Sequence, residues 1–171
     1  MTEAEFWTIV AASRPSSAGG QEEQSQLLLQ RLIQLSPEEV VSFKQRLDEQ
    51  LDAAYRWDLW GAAYLLLGGC GDDSFEYFRL WLIAQGQETF ARVLAEPDAL
   101  ALVAPPEPEE QCEFELFAYV AFDAYEQLTD GEFPATSREA PTSPTGHEWD
   151  FENDDEMKTR YPRLWTRVER A

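Results

Sequence analysis

Apolar residues recur every three or four positions along most of the chain, which is the period of an α-helix with one buried face. Thr2 followed by Glu5 has the spacing of a capping box and predicts the start of a first helix. Ser36 with Glu39 three residues later predicts another start, and the series over 114–128 predicts a long helix that is a principal core element. No alternating apolar pattern is long enough to predict a sheet. The sequence therefore predicts an all-α, compact multi-helix fold.

Two helices are predicted to meet at a glycine-rich turn in the middle of the chain. Residues 59–67 are almost all apolar and predict a helix that is buried on most sides. Gly68, Gly69 and Gly71 follow, and glycine is favoured at helix ends because it adopts positive φ without a Cβ clash. We call residues 68–76 the glycine corner, and we expect the second helix to begin within it.

The acids in and near the glycine corner allow two interpretations. In the first, Asp72 or Asp73 caps the second helix and Glu76 completes a capping box. Asp58 then pairs with Arg56, with Arg79 or with a backbone amide. In the second, several of these carboxylates converge, where they could hold a hard cation or share acid and base roles. The sequence favours the first interpretation and leaves the second open.

The composition changes after residue 128. We predict a helical domain over residues 1–128 and an irregular arm over residues 129–171, because prolines, serines and threonines are frequent in the first part of the arm. Phe133, Trp149 and Phe151 lie in this arm. We therefore expect it to dock on the helical domain as part of the same globule and to end in short helical turns.

The net charge of -20 is distributed unevenly along the chain. Residues 105–156 contain sixteen acids and one base, Arg138, whereas the last fifteen residues contain five bases and one acid. Affinity for a nucleic-acid backbone comes mainly from clustered Lys and Arg, so direct binding to that backbone is not expected. The charge favours a basic protein partner. We expect the basic residues of the C-terminal turns to face the acidic arm.

The centre of the chain carries an ordered series of aromatic residues, glycines and acids. The series is Tyr55-Arg56-Trp57-Asp58-Leu59-Trp60-Gly61-Ala62-Ala63-Tyr64, then Gly68-Gly69-Cys70-Gly71-Asp72-Asp73, then Tyr77-Phe78-Arg79 and Trp81-Leu82-Ile83. Together with Phe6-Trp7 and Pro97-Asp98, it resembles the bacterial family known as domain of unknown function 4240 over roughly residues 1 to 128. Leu67 and Gly71 depart from the family pattern, in which a polar residue and a serine are common at these positions. The resemblance implies a helical domain and no established activity.

The two cysteines and the single histidine offer limited chemistry. Cys70 near a helix start could be a nucleophile with His147 as its base, although cysteine is more often a buried apolar residue. With Cys112 these residues do not make a four-ligand zinc site, and the sequence predicts no metal and no cofactor. The chain starts without the pattern of a secretory signal, and its longest uncharged central run is too short to span a membrane. These features predict a cytoplasmic protein without membrane contact.

We predict a non-catalytic binding module that recognises a protein partner or a small ligand, because no catalytic arrangement is clearly favoured over a structural interpretation. The alternative is an enzyme or a metal-dependent site at the glycine corner. Tryptophan and tyrosine at helical spacing are usually core residues, yet they also line clefts. Arg56 and Arg79 are the expected partners of the acids. The candidate ligand-binding residues are Trp57, Asp58, Trp60, Tyr64, Cys70, Asp72, Asp73, Glu76, Tyr77, Arg79 and Trp81.

Overall fold

A computed structural model describes residues 1–15, 20–135 and 138–169 of the protein. Within these residues the chain forms helices and no strand, which confirms the all-α prediction. None of the described helices is both long and apolar enough to cross a membrane. The α-helices are α1 Glu3–Ser13, α2 Gln21–Leu32, α3 Pro37–Ala53, α4 Trp57–Leu67, α5 Asp72–Ala84, α6 Gln87–Ala95, α7 Leu100–Val103, α8 Pro108–Gln111, α9 Leu116–Thr129, α10 Asp154–Arg160 and α11 Pro162–Val168, with a 3-10 turn at Pro97–Ala99.

Both predicted capping boxes are present. The backbone N–H of Thr2 donates to the Glu5 carboxylate at 2.7 Å, and the N–H of Glu5 donates back to the Thr2 hydroxyl at 3.3 Å. Ser36 and Glu39 repeat this arrangement at the start of α3, with distances of 2.8 and 3.3 Å. Hydrogen bonds from the cap backbone lower the pKa of both glutamates because they favour the ionised carboxylate.

The core forms where α9 packs across α2 and α3, and α5 packs between α3 and α9. Phe43 of α3, Phe75 and Phe78 of α5, and Phe117 of α9 are fully buried there. The prediction that the helix near residues 114–128 is a principal core element is therefore confirmed. The buried aromatic rings fix the position of α5, and with it the second half of the glycine corner.

The glycine corner turns the chain between α4 and α5. Gly68 ends α4 in the left-handed conformation at φ 67°, and Gly69 continues at φ 130°. Gly71 occupies the N-cap position of α5 in an extended conformation, without a side-chain hydrogen bond. The prediction that Asp72 or Asp73 caps α5 is therefore wrong. Both acids already have helical geometry in its first turn, whereas a cap residue must be extended.

The arm docks on the helical core at two places. Phe133 packs against α9, and its ring centroid lies 5.1 Å from that of Tyr125. Further along, Thr145 pairs with the chain just before α4, accepting the N–H of Trp57 at 3.0 Å and donating to the carbonyl of Tyr55 at 2.9 Å. The helices α10 and α11 follow, so the expected short helical turns are present.

The basic residues of α11 bind the chain that surrounds α7. Asp98 is buried and accepts hydrogen bonds from the backbone N–H groups of Arg163 at 3.2 Å and Leu164 at 2.8 Å, and from the Arg163 guanidinium at 2.9 Å. Because these N–H groups belong to the first turn of α11, Asp98 caps that helix from a distant part of the sequence. Arg167 donates to the carbonyl of Ala101 at 3.0 Å. The expectation that the basic residues face the acidic arm is therefore wrong for Arg163 and Arg167, whereas Arg160 of α10 pairs with Glu156 of the arm at 2.5 Å, as expected.

Candidate functional site

Cys70 and Arg79 pack inside the protein, and the structure divides the other nine candidate residues among three surroundings. The residues of α4 lie beneath the arm, the residues at the start of α5 lie on the surface, and Trp81 borders a cavity at the other end of α5. The candidate residues therefore do not form a single site. Each group has its own contacts and is considered in turn.

The aromatic residues of α4 form a stack that continues into the core. The rings of Trp57 and Trp60 are stacked with centroids 5.4 Å apart, and Trp60 stacks on Phe75 at 4.7 Å. Phe151 of the arm closes the other side, with its centroid 5.4 Å from that of Tyr64 and 6.0 Å from that of Trp57. These rings therefore pack against each other and against the arm.

Gly61 allows the arm to lie directly on α4. A Cβ atom at this position would stand 2.5 Å from Cζ2 of Trp149 and 2.9 Å from the hydroxyl of Tyr161. Both distances are shorter than normal van der Waals contact, so any larger residue would displace the arm. The Tyr161 hydroxyl donates to the backbone carbonyl of Asp58 at 2.6 Å, and the Tyr64 hydroxyl donates to the Glu152 carboxylate. The α4 side of the motif is thus covered by specific contacts.

The carboxylate of Asp58 is hydrogen-bonded to residues near it in the sequence. Its carboxylate accepts two hydrogen bonds from the Arg56 guanidinium, one of them at 2.9 Å from Nε, and another from the N–H of Leu59 at 2.8 Å. The expected pairing with Arg56 is confirmed. Among the described residues, no three His, Cys, Asp or Glu side chains lie close enough together to hold a metal ion. The geometry therefore gives no support to a cation site that joins Asp58 to the acids of the glycine corner.

Cys70 has the surroundings of an unreactive thiol. The residue is buried, and this burial raises its pKa to about 12. A nucleophilic cysteine needs the opposite shift, because the thiolate is the reactive form. The carbonyl of Cys70 accepts the indole N–H of Trp60 at 2.9 Å, which ties the glycine corner to α4. His147 is exposed in the arm. These observations count against a cysteine and histidine pair.

Arg79 stabilises the core side of α5. Its guanidinium lies over the rings of Tyr55 and Phe75, at 4.6 and 5.0 Å from their centroids, and donates to the backbone carbonyl of Leu51 at 2.9 Å. Burial lowers its pKa because the charged form loses hydration. No ion pair within the described part of the chain includes Arg79, so the expectation that it pairs with an acid of the corner is wrong.

The first turns of α5 meet the start of α9 on an acidic part of the surface. Asp73 and Tyr77 are one helical turn apart on α5, and the carbonyl of Tyr77 accepts the N–H of Phe114 at 3.0 Å. This bond brings the start of α9 beside α5. The Tyr119 hydroxyl donates to the Glu115 carboxylate at 3.3 Å. We call the set Asp73, Glu76, Tyr77, Glu115 and Tyr119 the acidic tyrosine surface.

The negative charges of this surface raise the pKa of its two tyrosines. The charge of Glu115 is the largest cause of the raised pKa of Tyr119, and Glu76 raises it further. Partial burial and then Glu115 raise the pKa of Tyr77. Tyr119 is 50% exposed and the neighbouring Leu116 is 51% exposed. None of the ion pairs among described residues includes an acid of this surface.

Sequence reasoning found three of the five residues of the acidic tyrosine surface. Asp73, Glu76 and Tyr77 were candidates, but Glu115 and Tyr119 lie about forty residues further along and share no motif with them. The available signal was the excess of acids after residue 105, which predicted a charged surface without placing it beside α5. Asp72 is exposed next to this surface at the start of α5.

The comparisons with known proteins agree with the resemblance noted above. No curated protein and no solved structure matches the chain. The model of the family described as Protein of unknown function (DUF4240) matches residues 1–127, which include both helices of the glycine corner, and the chain therefore belongs to this family.

Proposed function

We propose that the protein is a bacterial, cytoplasmic binding module that recognises an arginine-rich segment of a partner protein through the acidic tyrosine surface. The observation that carries this proposal is a group of carboxylates that form no ion pair with the described residues and lie near Tyr77 and the half-exposed Tyr119. The two buried free thiols, Cys70 and Cys112, suit a reducing compartment.

The chemistry of the surface favours arginine over lysine. Carboxylates accept two parallel hydrogen bonds from a guanidinium, and tyrosine rings stack on its planar face. Tyr77 and Tyr119 stand beside Glu115, so one arginine could contact a ring and a carboxylate together. The net charge of -20 would also steer a basic partner toward the protein at low salt.

The proposal is tested with labelled hexa-arginine and hexalysine peptides titrated against the full chain by fluorescence anisotropy. We expect hexa-arginine to bind more tightly, and binding to weaken as salt is raised. The triple variant Asp73→Asn, Glu76→Gln, Glu115→Gln should weaken hexa-arginine binding about tenfold, because three exposed charge pairs each contribute a fraction of a kcal/mol up to about 1 kcal/mol.

A matched variant separates recognition from general attraction to an acidic protein. Glu22, Glu23 and Glu38 are exposed and lie outside the acidic tyrosine surface, so changing all three to Gln removes the same charge. This control should change the affinity less than threefold. If both triple variants weaken binding equally, the surface is not a recognition site and the proposal fails.

A crosslinking experiment then looks for the natural partner. A photoreactive phenylalanine derivative placed at Tyr119 should capture a basic protein in cells, whereas the same group at Leu102, which is exposed elsewhere, should not. Capture of the same proteins from both positions would contradict the proposed surface.

A further inference from the structure

A cavity of about 690 Å³ lies at the end of α5 that is remote from the glycine corner. Its walls come from the end of α1, the start of α2, the end of α5 and the chain around α8. A volume of this size is typical of sites for small molecules. The polar and aromatic residues that the argument uses are Arg14, Gln21, Gln24, Trp81, Gln85 and Glu110.

Two largely buried side chains on the cavity wall keep polar atoms that are open to solvent. Gln24 is only 7% exposed, and its amide N–H donates to the carbonyl of Ala84 at 2.9 Å. Its amide oxygen accepts no hydrogen bond from the described residues. Trp81 is 4% exposed, and its indole N–H likewise has no acceptor there. Neither atom is sealed inside the protein, so one donor and one acceptor on this wall are available to a ligand in the cavity.

Arg14 supplies a positive charge at the rim of the same cavity. Its guanidinium lies near the end of α5, with Nη1 3.8 Å from the place where a Cβ of Gly86 would stand. Arg14 forms no hydrogen bond or ion pair with the described residues. Because this exposed guanidinium has no acidic partner among the described residues and borders a cavity with open polar atoms, it is placed to hold an anionic group of a ligand.

The remaining groups on the wall include several acceptors. Gln21 donates one amide N–H to the carbonyl of Gln111 at 2.9 Å, and Gln85 donates one to the carbonyl of Trp81 at 3.2 Å, so each amide keeps its oxygen and a second N–H for a ligand. Glu110 adds a carboxylate to the lining. The body of a ligand should therefore carry N–H or O–H donors that these oxygens can accept.

We propose that this cavity binds a small polar metabolite whose carboxylate or phosphate is held by Arg14 and whose N–H or O–H donors reach Gln24 and its neighbours. Amino acids and sugar phosphates both have this combination of groups. The site is independent of the acidic tyrosine surface, because its residues and its preferred charge are different.

The test follows the indole N–H signal of Trp81 in NMR spectra of the full chain labelled with ¹⁵N, with the signal assigned through Trp81→Phe. L-Glutamate and L-aspartate test the carboxylate, ribose 5-phosphate and glucose 6-phosphate test the phosphate, and acetate and inorganic phosphate test the anion alone. At least one complete metabolite should shift the Trp81 signal in a saturable way. It should bind at least tenfold more tightly than the anion alone.

Two variants test the residues that hold the ligand. Arg14→Gln should weaken binding tenfold or more, whereas Arg31→Gln, which changes an exposed arginine outside the cavity, should leave it within twofold. Glu110→Gln should weaken the binding of amino acids, whose ammonium group it would accept, and leave sugar phosphates unchanged. The response to Glu110→Gln thus shows whether the bound anion belongs to an amino acid or to a sugar phosphate.

The outcomes that overturn the proposal are distinct. No shift of Trp81 with any of the four metabolites would exclude this class of ligand. An equal loss with Arg14→Gln and Arg31→Gln would show that only the net charge matters. A cation beside the end of a helix also stabilises the fold slightly, so thermal stability alone is not used as evidence of binding.

Discussion

The two helices of the glycine corner, α4 and α5, differ in what covers them, and we call them the α4 side and the α5 side of the central motif. On the α4 side, Trp149 and Phe151 of the arm pack on Trp57, Gly61 and neighbouring rings. On the α5 side, acids and tyrosines from two helices remain on the surface, and none of these acids forms an ion pair with another described residue. One continuous segment of the sequence thus contributes residues both to the interior of the protein and to its surface.

This difference indicates which part of the surface is open for binding a partner. The family model ends at residue 127, whereas the segment that covers α4 lies beyond residue 138. The arm therefore completes the fold over a part of the matched domain and leaves the acidic tyrosine surface open. We therefore expect substitutions at the contacts with the arm to lower the free energy of unfolding more than substitutions at the start of the open α5 side change it.

The largest effect is expected at Asp98, which joins α11 to the core. Asp98→Ala removes an acceptor of three hydrogen bonds and leaves the first turn of α11 without its cap. Hydrogen bonds to a charged group contribute about 1.5–3 kcal/mol each at most, and their effects are not additive, so we expect a loss of about 3 kcal/mol. Urea unfolding measures it. Asp98→Asn, which keeps one acceptor, should lose less, and equal losses would contradict the capping role.

The next effect is expected where the arm touches Gly61. Gly61→Ala should destabilise the protein by about 1–3 kcal/mol because the new Cβ overlaps Trp149 and Tyr161. Chemical denaturation of the single variants and of Gly61→Ala with Trp149→Ala gives a double-mutant cycle. Without the Trp149 ring, the alanine should cost much less or even stabilise α4, since alanine is the better helix former.

The contradicting result in this cycle is simple additivity. If Gly61→Ala costs the same with and without Trp149, the ring does not lie against α4. Gly20→Ala provides the control, because no described atom lies within 4 Å of a Cβ built at that residue. Gly20 is the N-cap of α2, where alanine is less favourable than glycine, so this variant should lose up to about 1 kcal/mol, and the loss should be the same with and without Trp149.

A smaller and pH-dependent effect is expected at Tyr161. Burial raises the pKa of Tyr161 well above its ordinary value, since the ionised phenol would lose its hydration. A group with a raised pKa in the folded state contributes stability below its unfolded pKa, near 10, and this contribution is lost as pH rises through the folded pKa. The free energy of unfolding should therefore fall with increasing pH above about 10.

The measurement compares Tyr161→Phe with Tyr119→Phe on the open side. At neutral pH, Tyr161→Phe should lose about 1 kcal/mol with its hydrogen bond to the Asp58 carbonyl. Above pH 10 it should lose less stability than the wild type, because phenylalanine does not ionise. The exposed Tyr119→Phe variant should keep the alkaline sensitivity of the wild type, and a similar profile for both variants would contradict the covered position of Tyr161.

The sequence predicted the features that depend on local chemistry. Ser36 and Glu39 formed the expected capping box, and Gly68 ended α4, because helix ends are set by residues within one turn. The partner of Arg79 could not be predicted in this way. Its cation lies on two aromatic rings and a backbone carbonyl, and this choice depends on how α5 packs against the end of α3.

For the same reason, only the α5 residues of the acidic tyrosine surface could be predicted. Tyr77 was identified through its place in the central motif, but Glu115 and Tyr119 reach it through the contact between α5 and α9. A backbone hydrogen bond between Phe114 and Tyr77 sets that register, and no periodicity in the sequence encodes it. Long-range packing, which the sequence pattern does not specify, decides which charges become neighbours.

The smallest effect is expected at Gly71, at the start of the open side. Gly71 occupies an extended N-cap, and no described atom lies within 4 Å of an added Cβ. Gly71→Ser can therefore accept an N–H of the first turn, and it should stabilise the protein by a few tenths of a kcal/mol. Thermal and urea unfolding measure the gain. Gly71→Ala has the same space but no acceptor, so it should not reproduce the gain. If serine destabilises instead, the corner is held by contacts other than the helix cap, and the open side is more constrained than its exposure indicates.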